Sequence, residues 1–271
     1  MIDLHVHTSR CGHATGEFAD YVRQAEATGI DVLGITDHLP LPESVLAADP
    51  SATRYAMPES ELEAYVGDVF DAQTRTASQG GPRILLGIEA DYIPGEEYHT
   101  RELLSRYSFD LVLGSVHMID GWAFDDPKLI DGYERWDIGA LWDRYFSRVA
   151  EAAATGLFDV MAHADLVKKF RFFPDDDLDP RYRRLADALA DTDVAIEVNT
   201  AGLRKPCAEL YPSLALLKTF CRAGVPVTIG SDAHAPSEVG YGYDLAVEAV
   251  MAAGYRSVVV FEHRVSQEVR L

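Results

Sequence analysis

The chain has 271 residues, of which 48% are hydrophobic, and 24 Lys and Arg stand against 44 Asp and Glu, a formal net charge of −20. With no block of five or more cations it lacks the clustered charge that displaces counterions from a phosphate backbone, so nucleic acid is not an expected partner. No apolar run approaches the roughly 18 residues of a membrane span, and Met1-Ile2-Asp3 leads straight into an alternating segment, so a cytoplasmic protein without a membrane partner is expected. The cysteines Cys11, Cys207 and Cys221 are odd in number and far apart, which suits reduced thiols used for packing.

In chain order, short apolar or β-branched runs predict strands at Ile2–His7, Asp31–Thr36, Arg83–Ile88, Phe109–Val116, Phe158–Ala162, Val194–Val198, Val225–Ile229 and Ser257–Phe261. Between them, Glu17–Thr28, Pro58–Ser78, Tyr133–Thr155, Pro180–Asp191, Tyr211–Ala223 and Ser237–Ala253 carry apolar residues at three- and four-residue intervals, the period of a helix with one buried face. Gly29, Gly156, Gly224 and Gly254 are placed to end helices in the left-handed conformation. Strands alternating with helices imply parallel pairing and right-handed crossovers, in an open sheet or a closed barrel. No Gly-x-Gly-x-x-Gly follows the first strand and no Gly-x4-Gly-Lys-Ser/Thr loop occurs, so neither common nucleotide-binding signature of the open sheets is present. Seven or eight strands in this length favour an α/β barrel forming a single domain over residues 1–271, and no linker or repeat divides it.

The histidines carry the chemical signal. His5 and His7 are two apart on the first strand, so both side chains leave the same face. Further along, Asp37-His38, Glu89, His117, His163-Ala164-Asp165 and Asp232-Ala233-His234 end five other strands. In a closed α/β barrel the C-terminal ends of all strands open on one face, so these side chains converge. Imidazoles gathered with carboxylates form a site for Zn, Mn or Fe, all of which accept this ligand set. His99 and His263 fall outside the pattern and read as structural.

The segments His5-Val6-His7-Thr8, Thr36-Asp37-His38, Gly87-Ile88-Glu89, Gly114-Ser115-Val116-His117 and Ser231-Asp232-Ala233-His234 together resemble the polymerase and histidinol phosphatase (PHP) superfamily. The stretches from Ala162 to Phe170 and from Glu197 to Lys205 are most similar to its monofunctional histidinol-phosphate phosphatases. The resemblance implies a distorted (β/α)7 barrel of TIM type with three divalent transition-metal ions at its rim. It implies one ion on His5, His7, Glu89 and Asp232, a second on His13, His38 and His234, and a third on His117, His163 and a bridging Glu89. His13 lies in a loop that strand spacing does not reach and is placed by the resemblance alone. Glu89, Asp232, His234, Asp37 and Asp165 are the catalytic candidates, the last two by orienting imidazoles or handling protons, with helix capping as their competing role.

Such a centre suits hydrolysis of a phosphate ester, with a metal-bridging hydroxide attacking while the ions neutralise the transferring group. No Gly-x-Ser-x-Gly elbow offers a seryl nucleophile. The expected partner is a small phosphorylated substrate, L-histidinol phosphate, with another small phosphate ester or nucleotide as the alternative. A nuclease module and a C–N hydrolase of related barrel type are further readings. Lys168, Lys169, Arg171 and Arg204 follow the fifth and sixth strands and are the candidates for gripping phosphate, Arg204 and Lys169 foremost. Asp91, Glu209 and Asp165 are candidates for the substrate's amino group and imidazole.

Overall fold

The computed structural model describes residues 1–271. The first half of the chain runs β1 (Ile2–Val6), α1 (Phe18–Thr28), β2 (Val32–Ile35), α2 (Glu43–Ala48), α3 (Leu62–Gln79), β3 (Arg83–Asp91), α4 (Glu97–Leu104) and β4 (Leu111–Ser115). A small hairpin, β5 (Met118–Ile119) and β6 (Trp122–Ala123), precedes α5 (Ile138–Ala153). The chain continues through β7 (Val160–Met161), α6 (Asp179–Ala190), β8 (Ala195–Asn199), α7 (Leu214–Ala223), β9 (Val227–Gly230) and α8 (Tyr243–Ala253), and ends in β10 (Ser257–Glu262) and β11 (Val265–Arg270).

Seven strands pair in the order β1-β2-β3-β4-β7-β8-β9, every pairing parallel, and the helices lie outside them. The sheet curls into a nearly closed barrel. Every residue of β1, β4 and β8 is buried, as expected where one face of a parallel sheet fills the barrel and the other lies under helices. One apolar core extends from Ile2 to Phe261. A second, small cluster of Leu41, Ala52 and Ala56 sits apart from it in the excursion between β2 and α3. No helix is long and apolar enough to cross a membrane.

The barrel seam lies between the first and last of the seven strands. β1 and β9 share no ladder, only a bridge between Val6 and Ala233, with the His7 amide donating to the Ala233 carbonyl at 2.9 Å. Buried Asp3 supplements it by accepting from the Ser231 amide at 2.8 Å and the Gly240 amide at 2.9 Å.

Several elements depart from the sequence expectation for local reasons. The eighth apolar run, β10, stays out of the barrel and pairs antiparallel with β11, a strand too polar to be read from hydrophobicity. Helix α5 begins at Ile138 rather than Tyr133, because the Asp137 side chain caps it by accepting from the Ala140 amide and residues 127–135 form 3-10 turns instead. It ends at Ala153, short of Gly156. Helix α8 begins at Tyr243 rather than Ser237, since Gly240 and Gly242 take positive φ just before it. Helix α7 begins at Leu214 behind a Ser213 cap. Helices α2 and α4 are short and carry little periodic signal.

Candidate metal centre

Parallel strands deliver their C-terminal residues to one end of the barrel, and there His5, His7, His13, His38, Glu89, His117, His163, Asp232 and His234 meet. Glu89, buried at the end of β3, is the hub. Its Oε2 lies 3.2 Å from His5 Nε2, 3.2 Å from His7 Nε2 and 3.2 Å from His38 Nδ1. Its Oε1 lies 3.1 Å from His163 Nε2 and 3.8 Å from His117 Nε2. Asp232 Oδ1 closes the group around His5 and His7 at 3.7 and 3.4 Å. His234 Nε2 faces His13 Nε2 at 2.9 Å. His163 and Asp232 have φ of 31° and 52°, a region where a non-glycine backbone stays only if its surroundings hold it.

The donor set fits metal ions. His5 Nε2 and His7 Nε2 face each other at 2.9 Å, as do those of His13 and His234, so each pair must either share a proton or turn two lone pairs toward one cation. Ligands about 2.1 Å from a tetrahedral ion lie roughly 3.4 Å apart, and the contacts around Glu89 Oε2 and Asp232 cluster at that spacing. Burial favours the neutral forms of Glu89 and Asp232, yet the surrounding imidazoles outweigh it and hold both well below the usual carboxylate range. Burial and neighbouring histidines push His38 and His234 well below the ordinary imidazole value, so both offer neutral nitrogen.

Partners outside this cluster orient it. Asp91 accepts from His117 Nδ1 at 2.9 Å and Glu197 from His5 Nδ1 at 2.7 Å, leaving each Nε2 directed inward. Asp37 is buried 4.0 Å from His7 Nδ1 and accepts from the Thr8 amide at 2.6 Å, so it braces the loop that follows β1 rather than capping a helix. Cys11, expected as a packing residue, is buried beside the imidazoles instead of in the apolar core; burial raises its thiol, but the neighbouring imidazoles of His13 and His7 bring it down to about 6.

A cavity of about 510 Å³ opens above the cluster, and Arg54, Tyr55, Asp125, Lys128, Lys169 and Lys205 are among its wall and rim residues. Lys169 faces it, paired with Asp125 at 3.0 Å. Arg54 reaches across from the small cluster and donates to Asp126 at 2.8 Å, where the Tyr55 hydroxyl also donates at 2.6 Å. The other basic candidates are not brought to this wall. Exposed Arg171 points elsewhere. Arg204 lies behind the Asp232 turn, donating through Nη2 to the carbonyls of Ser231 (3.0 Å) and Asp232 (3.2 Å) and pairing with Glu238 at 3.2 Å. That clamp holds the positive-φ backbone of Asp232, and Glu238 also accepts from the His234 amide at 2.8 Å.

Lys168 is buried away from the cavity between Asp165 (2.9 Å) and Glu209 (2.8 Å), and Asp165 also accepts from the Ser213 amide at 2.8 Å. Asp165 therefore ties the loop after β7 to the start of α7, and no hydrogen bond or ion pair joins it to the clustered imidazoles. Replacing Lys168 by Met is expected to destabilise the protein by about 3 kcal/mol or more, because it strands a buried carboxylate, while leaving KM nearly unchanged. Urea unfolding together with steady-state kinetics checks this, and a raised KM at unchanged stability would return Lys168 to substrate binding. Of the candidates for the organic end, Asp91 lines the cavity, while Asp165 and Glu209 do not.

The model of the PHP domain family matches residues 3–201. The chain belongs to the PHP domain family. The PHP match includes seven of the nine clustered residues, and Asp232 and His234 follow it. The chain is 39% identical over 98% of both lengths to "Probable histidinol-phosphatase" of Deinococcus radiodurans. It is 27% identical to histidinol-phosphatase of Bacillus subtilis, covering 91% of this chain and 98% of that one. The crystal structure of histidinol phosphate phosphatase from Lactococcus lactis, complexed with zinc, L-histidinol and phosphate, superimposes with a TM-score of 0.81 over 98% of both chains at 19% identity, which establishes the shared PHP fold.

Proposed function

We propose that residues 1–271 form one barrel domain, a metal-dependent phosphomonoesterase hydrolysing L-histidinol phosphate to L-histidinol and phosphate in the cytoplasm. The reading is carried by the end-to-end similarity to the Deinococcus radiodurans protein described as a probable histidinol-phosphatase, together with the cluster of histidines and carboxylates at the mouth of this barrel. His5, His7, Glu89 and Asp232 would hold one divalent ion; His13, His38 and His234 a second; and Glu89, His117 and His163 a third. Zn, Mn and Fe suit these donors. When bound, such ions neutralise charge on the transferring phosphoryl group and activate water toward attack.

The chain's own residues do the rest. The cations facing the cavity, Lys169 and Lys205, and Lys128 at its rim, attract the phosphate dianion in a protein whose overall charge would repel it. Lys169 is held by Asp125 in a fixed direction. Asp91 and Asp125 line the same cavity, but Asp91 is engaged by His117 and Asp125 by Lys169, so both act through those partners.

Phosphate release from L-histidinol phosphate is expected with kcat/KM of about 10⁴ M⁻¹s⁻¹ or better, the ordinary range for an enzyme on its own substrate. Equal or faster turnover of p-nitrophenyl phosphate or a nucleotide would replace the named substrate by another small phosphate ester.

A further inference from the structure

Glu197 is a charged residue in the middle of a wholly buried strand, and the chain aims both of its oxygens at hydrogen-bond donors. Oε1 accepts from His5 Nδ1 at 2.7 Å. Oε2 accepts from the His163 amide at 3.1 Å and from Asn199 Nδ2 at 2.9 Å. The same Asn199 nitrogen lies 3.3 Å from Asp232 Oδ2, while its Oδ1 accepts from the Ala201 amide at 2.9 Å and keeps the side chain from turning over. Three of the clustered residues, contributed by β1, the end of β7 and the end of β9, thus refer to one carboxylate behind them.

We infer that Glu197 is the positioning residue of the metal centre: it fixes the proton of His5 on Nδ1, so that Nε2 presents its lone pair beside His7 and Glu89, and through Asn199 it sets the direction of Asp232. This rests on the metal-dependent reading above. His5 Nδ1 has no other acceptor, and an imidazole without such a partner divides between two tautomers, only one of which can ligate through Nε2. An amide cannot substitute for the carboxylate: turned to accept from His5, it aims its NH2 group at two N–H donors; turned the other way, it aims that group at His5. The neighbouring strand makes room for this arrangement. A Cβ on Gly230, the residue paired with Asn199 across β8 and β9, would lie 2.0 Å from Glu197 Oε1 and 2.5 Å from the His5 Cβ. Any other residue at 230 would push the carboxylate off the imidazole.

The test is zinc affinity, measured by competition with a chromophoric chelator on the full chain, with thermal unfolding of the metal-free protein alongside. Glu197→Gln is expected to weaken binding of zinc 10- to 100-fold, the range for removing a partner that orients a ligand. Glu197→Asp, which keeps the charge but draws it back from His5 by about one bond length, is expected to lose a comparable factor and decides the matter should the Gln variant fail to fold. In a His5→Ala background the further change at Glu197 is expected to cost clearly less than in the wild-type chain, because only its route through Asn199 to Asp232 remains; an equal cost in both backgrounds would overturn the His5 part of the inference. Wild-type zinc affinity in either folded Glu197 variant would overturn the inference while leaving the metal centre in place. A wild-type chain that binds no zinc, manganese or iron would instead overturn the reading beneath it.

Discussion

Glu89→Gln is expected to lower kcat by roughly 10² to 10³, whereas Asp37→Asn lowers it 10- to 100-fold. The difference follows from what each carboxylate touches. Glu89 is buried with five imidazole nitrogens within 3.8 Å, so an amide there removes a charge from a fully desolvated cluster and replaces one of its two oxygens by a nitrogen that has no lone pair to offer a metal ion. Residues that hold or polarise a reacting charge in a dry site are worth about 2.7–4 kcal/mol to the transition state, and each 1.4 kcal/mol is a factor of ten in rate. Asp37 is 4.0 Å from its nearest imidazole nitrogen, and burial raises its carboxyl to about 7, so asparagine resembles a form it adopts readily. The amide oxygen can still accept from Thr8, which confines the loss to the orientation of His7. Kinetics on both proteins, after their metal content is shown to match the wild type, separate the two roles. Equal losses would demote Glu89 from hub to outer support.

Stripping the metal is expected to abolish turnover to below about 1% and to lower Tm on the order of 10 °C. Elemental analysis of protein prepared without chelator is expected to find close to three ions per chain. A ligand that binds only the folded state at a thousandfold excess over its Kd contributes about 4 kcal/mol, and a chain of this size loses roughly 2–4 °C per kcal/mol. Removal also leaves facing imidazole nitrogens without a shared cation, beside two carboxylates whose ionisation the imidazoles sustain. Readdition of Zn, Mn or Fe should restore both quantities, and the best of the three identifies the working ion. Full activity with no metal bound would remove the metal from the chemistry.

The barrel and its convergent rim were legible because both depend on short-range patterns. A parallel strand ends where its apolar run meets a polar residue, and the topology then carries six such ends to one place whatever the loops do. What escaped depends on directions that no pattern encodes. Lys168 and Lys169 are adjacent in a turn, and opposite facing sends one to Asp165 and the other to Asp125. Arg204 and Lys205 divide in the same way between the back of the Asp232 turn and the cavity. Arg54 and Tyr55 meet Asp126 across about 70 residues of chain, a contact without periodicity. Glu197 did leave a signal, a lone acid between Ile196 and Val198 in a buried strand, since a charge there needs partners that can only be tertiary. β10 was misplaced because an apolar run specifies burial but not pairing, and its partner β11 is wholly exposed.

The open seam would give an ion bound at this cluster a role in the life of the chain as well as in its chemistry. Asp3 and Ser231, joined across the seam, are 228 residues apart, the kind of closure whose loop entropy makes it a late event in folding. His5 and His7 stand on one side of that gap and Asp232 and His234 on the other, so an ion shared between them spans a junction that backbone pairing leaves almost bare. Interactions made after the rate-limiting step act on unfolding far more than on folding. Metal supply would thus govern how long a finished molecule lasts, and leave the speed at which new ones form nearly untouched.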